Sequence, residues 1–387
     1  MKHPTHSRKP DADPLRTIAG AAVPFQSSLH HACISVPTGP ASQQVFAVRS
    51  PQCKQWLRTG YEDEFGRTPS ESFLRTSLHR LEAQAVYSDL PAKPVGPRCL
   101  AYGDRVALDL ANPAGDCIEI SAAGWKTASA LSHAFSRDSA MGPLPEPQQP
   151  EYGALDQFRV LLNIPDGNPW TRVLSFLTAA VTGLGPCPIL VLEGPTGSAK
   201  TTAARMLKAL LDPTASTPGP LPSGVSALRK QAAENRVLIF DDVHRIGPVK
   251  ASEIARLADD EAQPRAIILV RACSSTAPLP EALERRSLTV ALTEPETLRT
   301  LYDLKNEFQL IHPQVLGALC NAVAETLKGL HSTPVPKLTR LADATMLALA
   351  AAPSLRLQHQ HILEAIAERP PKPVRPQGEP RPRQTAL

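Results

Sequence analysis

The run Gly194-Pro-Thr-Gly-Ser-Ala-Lys-Thr201 follows the aliphatic stretch Ile189-Leu-Val-Leu192 after the single residue Glu193 and directly precedes the helix-forming Thr202-Ala-Ala204. Glycines let backbone N–H groups converge on phosphate oxygens, and the start of a helix adds its positive end. In that setting Lys200 would reach the β- and γ-phosphates of ATP, and Thr201 would offer its hydroxyl to Mg²⁺. The candidate nucleotide-binding residues are therefore Gly194, Pro195, Thr196, Gly197, Ser198, Ala199, Lys200, Thr201 and Thr202. The run departs from G-x-x-x-x-G-K-S/T at one place. Ala199 stands where the second glycine belongs, and its methyl crowds the loop. The plainer alternative is a Gly-rich turn that merely joins a strand to a helix.

Phosphoryl transfer also needs a carboxylate for the metal, and Arg236-Val-Leu-Ile-Phe-Asp-Asp242 reads as a buried strand ending in two of them. Asp241 would hold Mg²⁺, directly or through water, and Asp242 would orient or deprotonate the attacking water. The Asp242 side chain is one methylene shorter than the Glu common in that role. Other metal chemistry finds no support. The pairs His30-His31 and His359/His361 lack complementary Cys or carboxylate spacing, and the seven scattered cysteines form no C-x-x-C pair. The thiols read as reduced, and the protein as cytoplasmic.

The elements that must position these groups follow from the texture of the chain. Its 387 residues are 42% hydrophobic, enough to bury a core, and the formal charge of +4 is too small to mark a nucleic-acid binder. No stretch of eighteen apolar residues suggests a membrane span, so Val173–Leu184 and Ala342–Ala352 read as core helices. Forty prolines, about twice the usual share of ~5%, gather near both ends and in a few joints.

Residues 1–45, rich in Pro, Ser and His without periodicity, read as disordered. Residues 46–150 read as an α+β module. Trp56 and Tyr61 lie on a first helix. Thr68-Pro-Ser-Glu71 opens a second in a capping-box arrangement, turning Phe73, Leu74, Leu78 and Leu81 inward. Strands follow at Arg105–Leu110, Cys117–Ser121 and from Trp125, and the proline-rich joint Pro143-Leu-Pro-Glu-Pro147 is expected to carry few contacts.

Residues 151–295 alternate helix and buried strand, and continuous aliphatic strands flanked by helices predict a parallel sheet covered on both faces. The strands are Ile189–Glu193, Val237–Phe240, Ala266–Val270 and Leu288–Leu292. The helices are Trp170–Gly183, Lys200–Leu211, Val225–Glu234 and Ser252–Ala258. Residues 296–366 read as a helical lid broken at Pro313 and Pro334/Pro336. Residues 367–387 read as a Pro/Arg-rich tail.

At these residues the chain resembles a family of bacterial mobile-element ATP-binding proteins, related to the phage-type primase-helicase and virulence-associated protein E ATPases. The resemblance runs through Val48-Arg-Ser-Pro51 with Trp56-Leu57, Leu81-Glu82, Val106-Ala-Leu-Asp-Leu110, Gly124-Trp125 and Pro143-Leu-Pro-Glu-Pro147. It continues through Pro188-Ile-Leu-Val-Leu192, Gly197-Ser-Ala-Lys-Thr201 and Asp212-Pro213. The family writes the same Ala before Lys. The resemblance implies an α/β P-loop NTPase fold of AAA+ or superfamily 3 helicase type, a three-layer parallel sheet with an N-terminal α+β module and a C-terminal helical lid, with ATP and Mg²⁺ as ligands.

It further implies an arginine finger at Arg286, with Arg285 the neighbouring alternative, acting across a subunit interface and so requiring a homo-oligomer. Arg340 matches an arginine of the family's lid that would sense the γ-phosphate. Two features depart from helicases of this type. Ile267-Ile-Leu-Val270 ends apolar where a polar residue, usually Asn, helps hold the attacking water, although Arg271 and Ser274 lie just beyond. The interval from Asp242 to Ala266 has room for one helix and little else, where related proteins carry a DNA-gripping hairpin.

The resulting expectation is an ATPase of a mobile-element DNA replication or helicase-like module, with DNA and other replication proteins as partners. The alternative is a nucleotide-dependent protein-binding switch or a weakened scaffold. The cations Arg58, Arg67, Arg75 and Arg80, and the tail through Arg383, are the candidate DNA-backbone contacts.

Overall fold

The computed structural model describes residues 13–40, 42–138, 140–215, 217–260, 263–272, 277–333 and 341–368. Arg340, Ser274, Cys273, Pro334, Pro336 and the basic tail beyond Glu368 lie outside the described residues.

Order begins well before Phe46. A short helix α1 (Pro14–Ala19) leads into strands β1 (Val23–Gln26), β2 (Ala32–Gly39) and β3 (Ser42–Ala47), an antiparallel sheet in the order β1-β2-β3. This corrects the reading of residues 13–45 as disordered. Helices α2 (Pro51–Phe65) and α3 (Glu71–Val86) cover that sheet, burying Leu57, Leu74 and Leu81 against Ile34 and Val48. The cap of α3 is Ser70, whose Oγ accepts from Phe73 N at 3.1 Å. Thr68 plays no part in it, and Glu71 turns instead to Lys54 and Arg58.

A two-residue strand β4 (Val95–Gly96) precedes a four-stranded antiparallel meander of β5 (Cys99–Tyr102), β6 (Arg105–Asp109), β7 (Asp116–Ser121) and β8 (Gly124–Ser129). Strand β9 (Ala134–Phe135) returns beside β4. Val106, Leu108, Ile118 and Ile120 of the meander belong to the main hydrophobic core, which continues unbroken into the helices of the C-terminal half. The proline-rich segment that follows is a packed strap, not a joint. Leu144 is buried and its N–H reaches Leu110 O, while Gln148 N reaches Pro313 O at 2.9 Å.

Helices α4 (Ala154–Leu161) and α5 (Asn168–Thr182) then lead to β10 (Ile189–Gly194) and α6 (Lys200–Leu211). Next come α7 (Val225–Glu234), β11 (Val237–Phe240), α8 (Pro248–Ala258), β12 (Ala266–Ala272), the short α9 (Glu281–Glu284) and β13 (Ser287–Ala291). The four strands form one parallel sheet in the order β11-β12-β10-β13. Alternate residues enter opposite cores. Leu190, Leu192, Ile239, Ile268 and Val270 face the side that holds α5 and α6, whereas Val191, Leu238, Phe240, Ile267 and Leu269 face α7 and α8. The expected strands and the bounds of α6 and α7 are all found.

The C-terminal part consists of α10 (Leu301–Gly329), α11 (Ala342–Leu355) and α12 (His359–Ala367). Pro313 does not break α10, which runs through it. Buried residues on both sides of the proline, Phe308 and His312 before it and Val315, Leu316 and Leu319 after it, hold the helix in the core. No helix among the described residues is long and apolar enough to cross a membrane.

Candidate functional site

Strand β10 runs between β12 and β13, and the chain leaves its C-terminal end through the loop 195–199 into α6. The next strand in sequence, β11, lies two places away with β12 between. The connections thus diverge at the C-terminal ends of these strands, where open parallel sheets bind ligands. A cleft of about 960 Å³ opens there, lined by Lys200, Thr201, Asp241, Asp242 and Arg271 among others.

Tight contacts shape the loop. A Cβ at Gly194 would stand 2.5 Å from Leu292 O, so only glycine fits, and Gly197 takes a positive φ of 88°. Ala199 takes φ 61°, ψ 15°, the left-handed conformation for which glycine is the usual choice. Ala199 therefore carries its methyl on a backbone conformation that is strained for any residue with a Cβ. Lys200 Nζ is held by the carbonyls of Gly194 (2.8 Å) and Pro195 (2.6 Å) and by Ser198 Oγ (3.2 Å), which fixes the ammonium across the mouth of the loop. Thr202 lines the same cleft.

Asp241 leaves β11 on the face occupied by α6, and its Oδ1 accepts from Thr201 Oγ1 at 3.2 Å and from Asp242 N at 2.9 Å. Asp242 has φ 55°, a strained value for a non-glycine residue, and its carboxylate pairs with His244 Nε2 at 2.9 Å. The oxygens of Thr201 and Asp241 suit Mg²⁺. It takes oxygen ligands at about 2.0–2.1 Å in an octahedron, which places adjacent ligands about 3 Å apart. Among the described residues no three His, Cys, Asp or Glu side chains could cage a metal.

Arg286 is not in this cleft. Its carbonyl accepts from Ile189 N at the opposite end of the sheet, and its guanidinium is held by Asp259 Oδ2 at 2.6 Å. Arg285 pairs with Glu281. Of the expected DNA contacts, Arg58 pairs with Glu71, Arg80 with Asp13, and Arg67 lies over the Tyr61 ring.

Three site residues escaped the sequence reading in whole or part. Asn163 Nδ2 donates to Thr293 O at 2.8 Å and to Ser198 O at 3.4 Å, tying the loop 195–199 to the segment that lines the cleft at Thr293. Glu193 and Arg271, paired at 2.9 Å, stand at the rim on neighbouring strands. No motif marks Asn163. The Glu193–Arg271 pair is visible only once the register is known.

No family model matches the chain, and no curated protein matches it. Solved structures similar to it include helicases. One is SCCmec type IV Cch, an active helicase, with TM-score 0.44 and 11% identity over 89% of this chain and 75% of that one. A further similar structure, not described as a helicase, is the C-terminal region of NrS-1, with TM-score 0.40 and 10% identity over 88% of this chain and 72% of that one. JCV helicase follows at TM-score 0.26 and 15% identity over 56% and 63%.

Proposed function

We propose that the chain is a P-loop ATPase of AAA+ or superfamily 3 type, a three-layer parallel sheet with a helical lid, that binds and hydrolyses ATP with Mg²⁺. The observation that carries this reading is the Thr201–Asp241 contact beside Lys200, at the mouth of a glycine-bearing loop that opens a helix. Backbone N–H groups of residues 197–201 and the Lys200 ammonium would bind the β- and γ-phosphates. Mg²⁺ held by Thr201 and Asp241 would neutralise phosphate charge. Water attacks the γ-phosphorus as the bond to the β–γ bridging oxygen breaks, the electron pair leaves with ADP, and Asp242 accepts the water proton. Arg286 supplies a finger to a neighbouring copy in a homo-oligomer, and Arg340 contacts the γ-phosphate in cis. The role is that of the ATPase in a mobile-element DNA replication or helicase-like module.

A second reading, a nucleotide-dependent switch acting on a protein partner, is favoured by two observations. The helix α8 is the only regular element among the described residues between β11 and β12, and the candidate basic side chains Arg58 and Arg80 are already paired with carboxylates. Steady-state ATP hydrolysis with and without single-stranded DNA separates the two. A motor gives DNA-stimulated turnover that Lys200→Ala abolishes, and a switch gives slow turnover indifferent to DNA. Absence of both binding and turnover in the wild type would refute the ATPase reading.

A further inference from the structure

Arg271 is a buried cation at the rim of the cleft, with 7% of its side chain exposed, and among the described residues its guanidinium reaches three separate segments. One Nη donates to Glu193 Oε1 at 2.9 Å, on the residue immediately before Gly194. Nε reaches the carbonyl of Val243 at 3.4 Å, on the residue immediately after Asp242. The other Nη donates to Ala277 O, in the segment that follows β12. The same turn is pinned from the backbone by Val243 N donating to Val270 O at 3.0 Å. Burying a guanidinium is costly unless its donors are satisfied, so this one is kept in place by the elements it joins.

Those elements carry the two halves of the site. Glu193 and Arg271 are register partners on β10 and β12 and lie on the α7/α8 face of the sheet, so Arg271 borders the cleft from the side opposite α6, which carries Lys200 and Thr201. Asp242 sits at φ 55° with its neighbour Val243 fixed on both its N–H and its C=O. A residue held in that strained conformation keeps it only while its surroundings enforce it.

We propose that Arg271 is a positioning residue. It locks the turn that carries Asp242 to the strand that carries the phosphate loop, so that the carboxylate keeps its place relative to the bound triphosphate. The proposal rests on the ATPase reading. Lysine cannot replace it, because a single ammonium cannot span Glu193, Val243 and Ala277 as the planar fork does.

The test is steady-state ATP hydrolysis by the full chain and by Arg271→Met, Arg271→Lys, Glu193→Gln, Asp242→Asn and the double variant Arg271→Met/Asp242→Asn, each with its thermal midpoint. Arg271→Met is expected to lower kcat by ~30-fold or more with KM for ATP within about threefold, as loss of a transition-state arrangement does. Arg271→Lys should not rescue it, and Glu193→Gln should lose a smaller part. Adding Asp242→Asn to Arg271→Met should cost far less than Asp242→Asn alone, since both act through one carboxylate. Unchanged kcat in Arg271→Met, rescue by lysine, or additive losses would overturn the proposal while leaving the ATPase reading intact. If Arg271→Met does not fold, an unchanged kcat in the partly exposed Glu193→Gln overturns it equally. Absence of turnover in the wild type would instead refute hydrolysis itself, and this role with it.

Discussion

Thr201 Oγ1 and Asp241 Oδ1 lie 3.2 Å apart although forty residues separate them in the chain. One lies in the first turn of α6 and the other immediately follows β11, and an entire strand, β12, runs between β11 and β10, which leads into the loop 195–199. The contact exists because Asp241 leaves its strand on the α6 side. Asp241→Asn should therefore weaken ATP binding in Mg²⁺ by about tenfold or more while leaving binding in EDTA unchanged, a difference that calorimetric titration reads directly.

Ala199 makes the opposite kind of prediction, a gain. Its left-handed backbone costs about 1–2 kcal/mol relative to glycine, and the entropy that glycine adds to the unfolded chain returns roughly 0.4–1 of that. Ala199→Gly should raise stability by about 0.5–1 kcal/mol, seen as a higher urea midpoint at unchanged slope.

A buried ion network fastens the antiparallel meander to the far end of α6. Arg98, fully buried, reaches Asp212 Oδ1 at 3.3 Å and the carbonyls of Asp109 and Gly142. Asp212 Oδ2 accepts from Lys208 Nζ, Arg236 N and Val237 N. Burial works against the Asp212 charge, yet Lys208 and Arg98 outweigh it and hold its carboxyl below the ordinary range. Asp212→Ala strands two buried cations and should cost about 3–5 kcal/mol in chemical denaturation.

His312 gives the protein a pH dependence. Buried in α10 and stacked on Phe308 at 4.7 Å, it contacts Leu210 O at 3.2 Å, and burial pushes its pKa down from 6.5 to about 4. The unfolded chain therefore binds a proton that the folded chain refuses. The stability is complete above the unfolded value of 6.5 and is lost as pH falls from there towards 4. Moving from pH 7 to pH 5 should remove about 2 kcal/mol through this group alone, and His312→Phe should flatten that slope.

Gly317 is demanded by packing. A Cβ there would collide with the backbone carbonyl of Gln148 in the proline-rich strap, so Gly317→Ala must push strap and helix apart and should cost roughly 2–3 kcal/mol in urea unfolding.

The sequence speaks clearly where burial is two-sided. Strands β10, β11 and β12 are runs of consecutive aliphatic residues, and α6 and α7 are periodic, so their bounds and the Gly194–Thr201 and Asp241 motifs could be read without coordinates. The N-terminal sheet was hidden because its strands carry proline. Pro24 sits on the edge strand β1, and Pro37 sits beside the register shift of β2, the two settings in which a sheet tolerates it. Pro313 and the segment 143–147 misled in the same way, since proline marks a break only where packing does not hold the chain. The Glu193–Arg271 pair depends on strand order, which no local pattern encodes.

The most direct test of the central claim is calorimetric titration of ATP with Mg²⁺ into the wild type and into Lys200→Ala. Saturable one-to-one binding by the wild type, weakened by about a hundredfold or more in Lys200→Ala with an unchanged thermal midpoint, is the predicted result. Wild-type binding no tighter than that of Lys200→Ala would contradict a triphosphate held between the phosphate loop and Asp241.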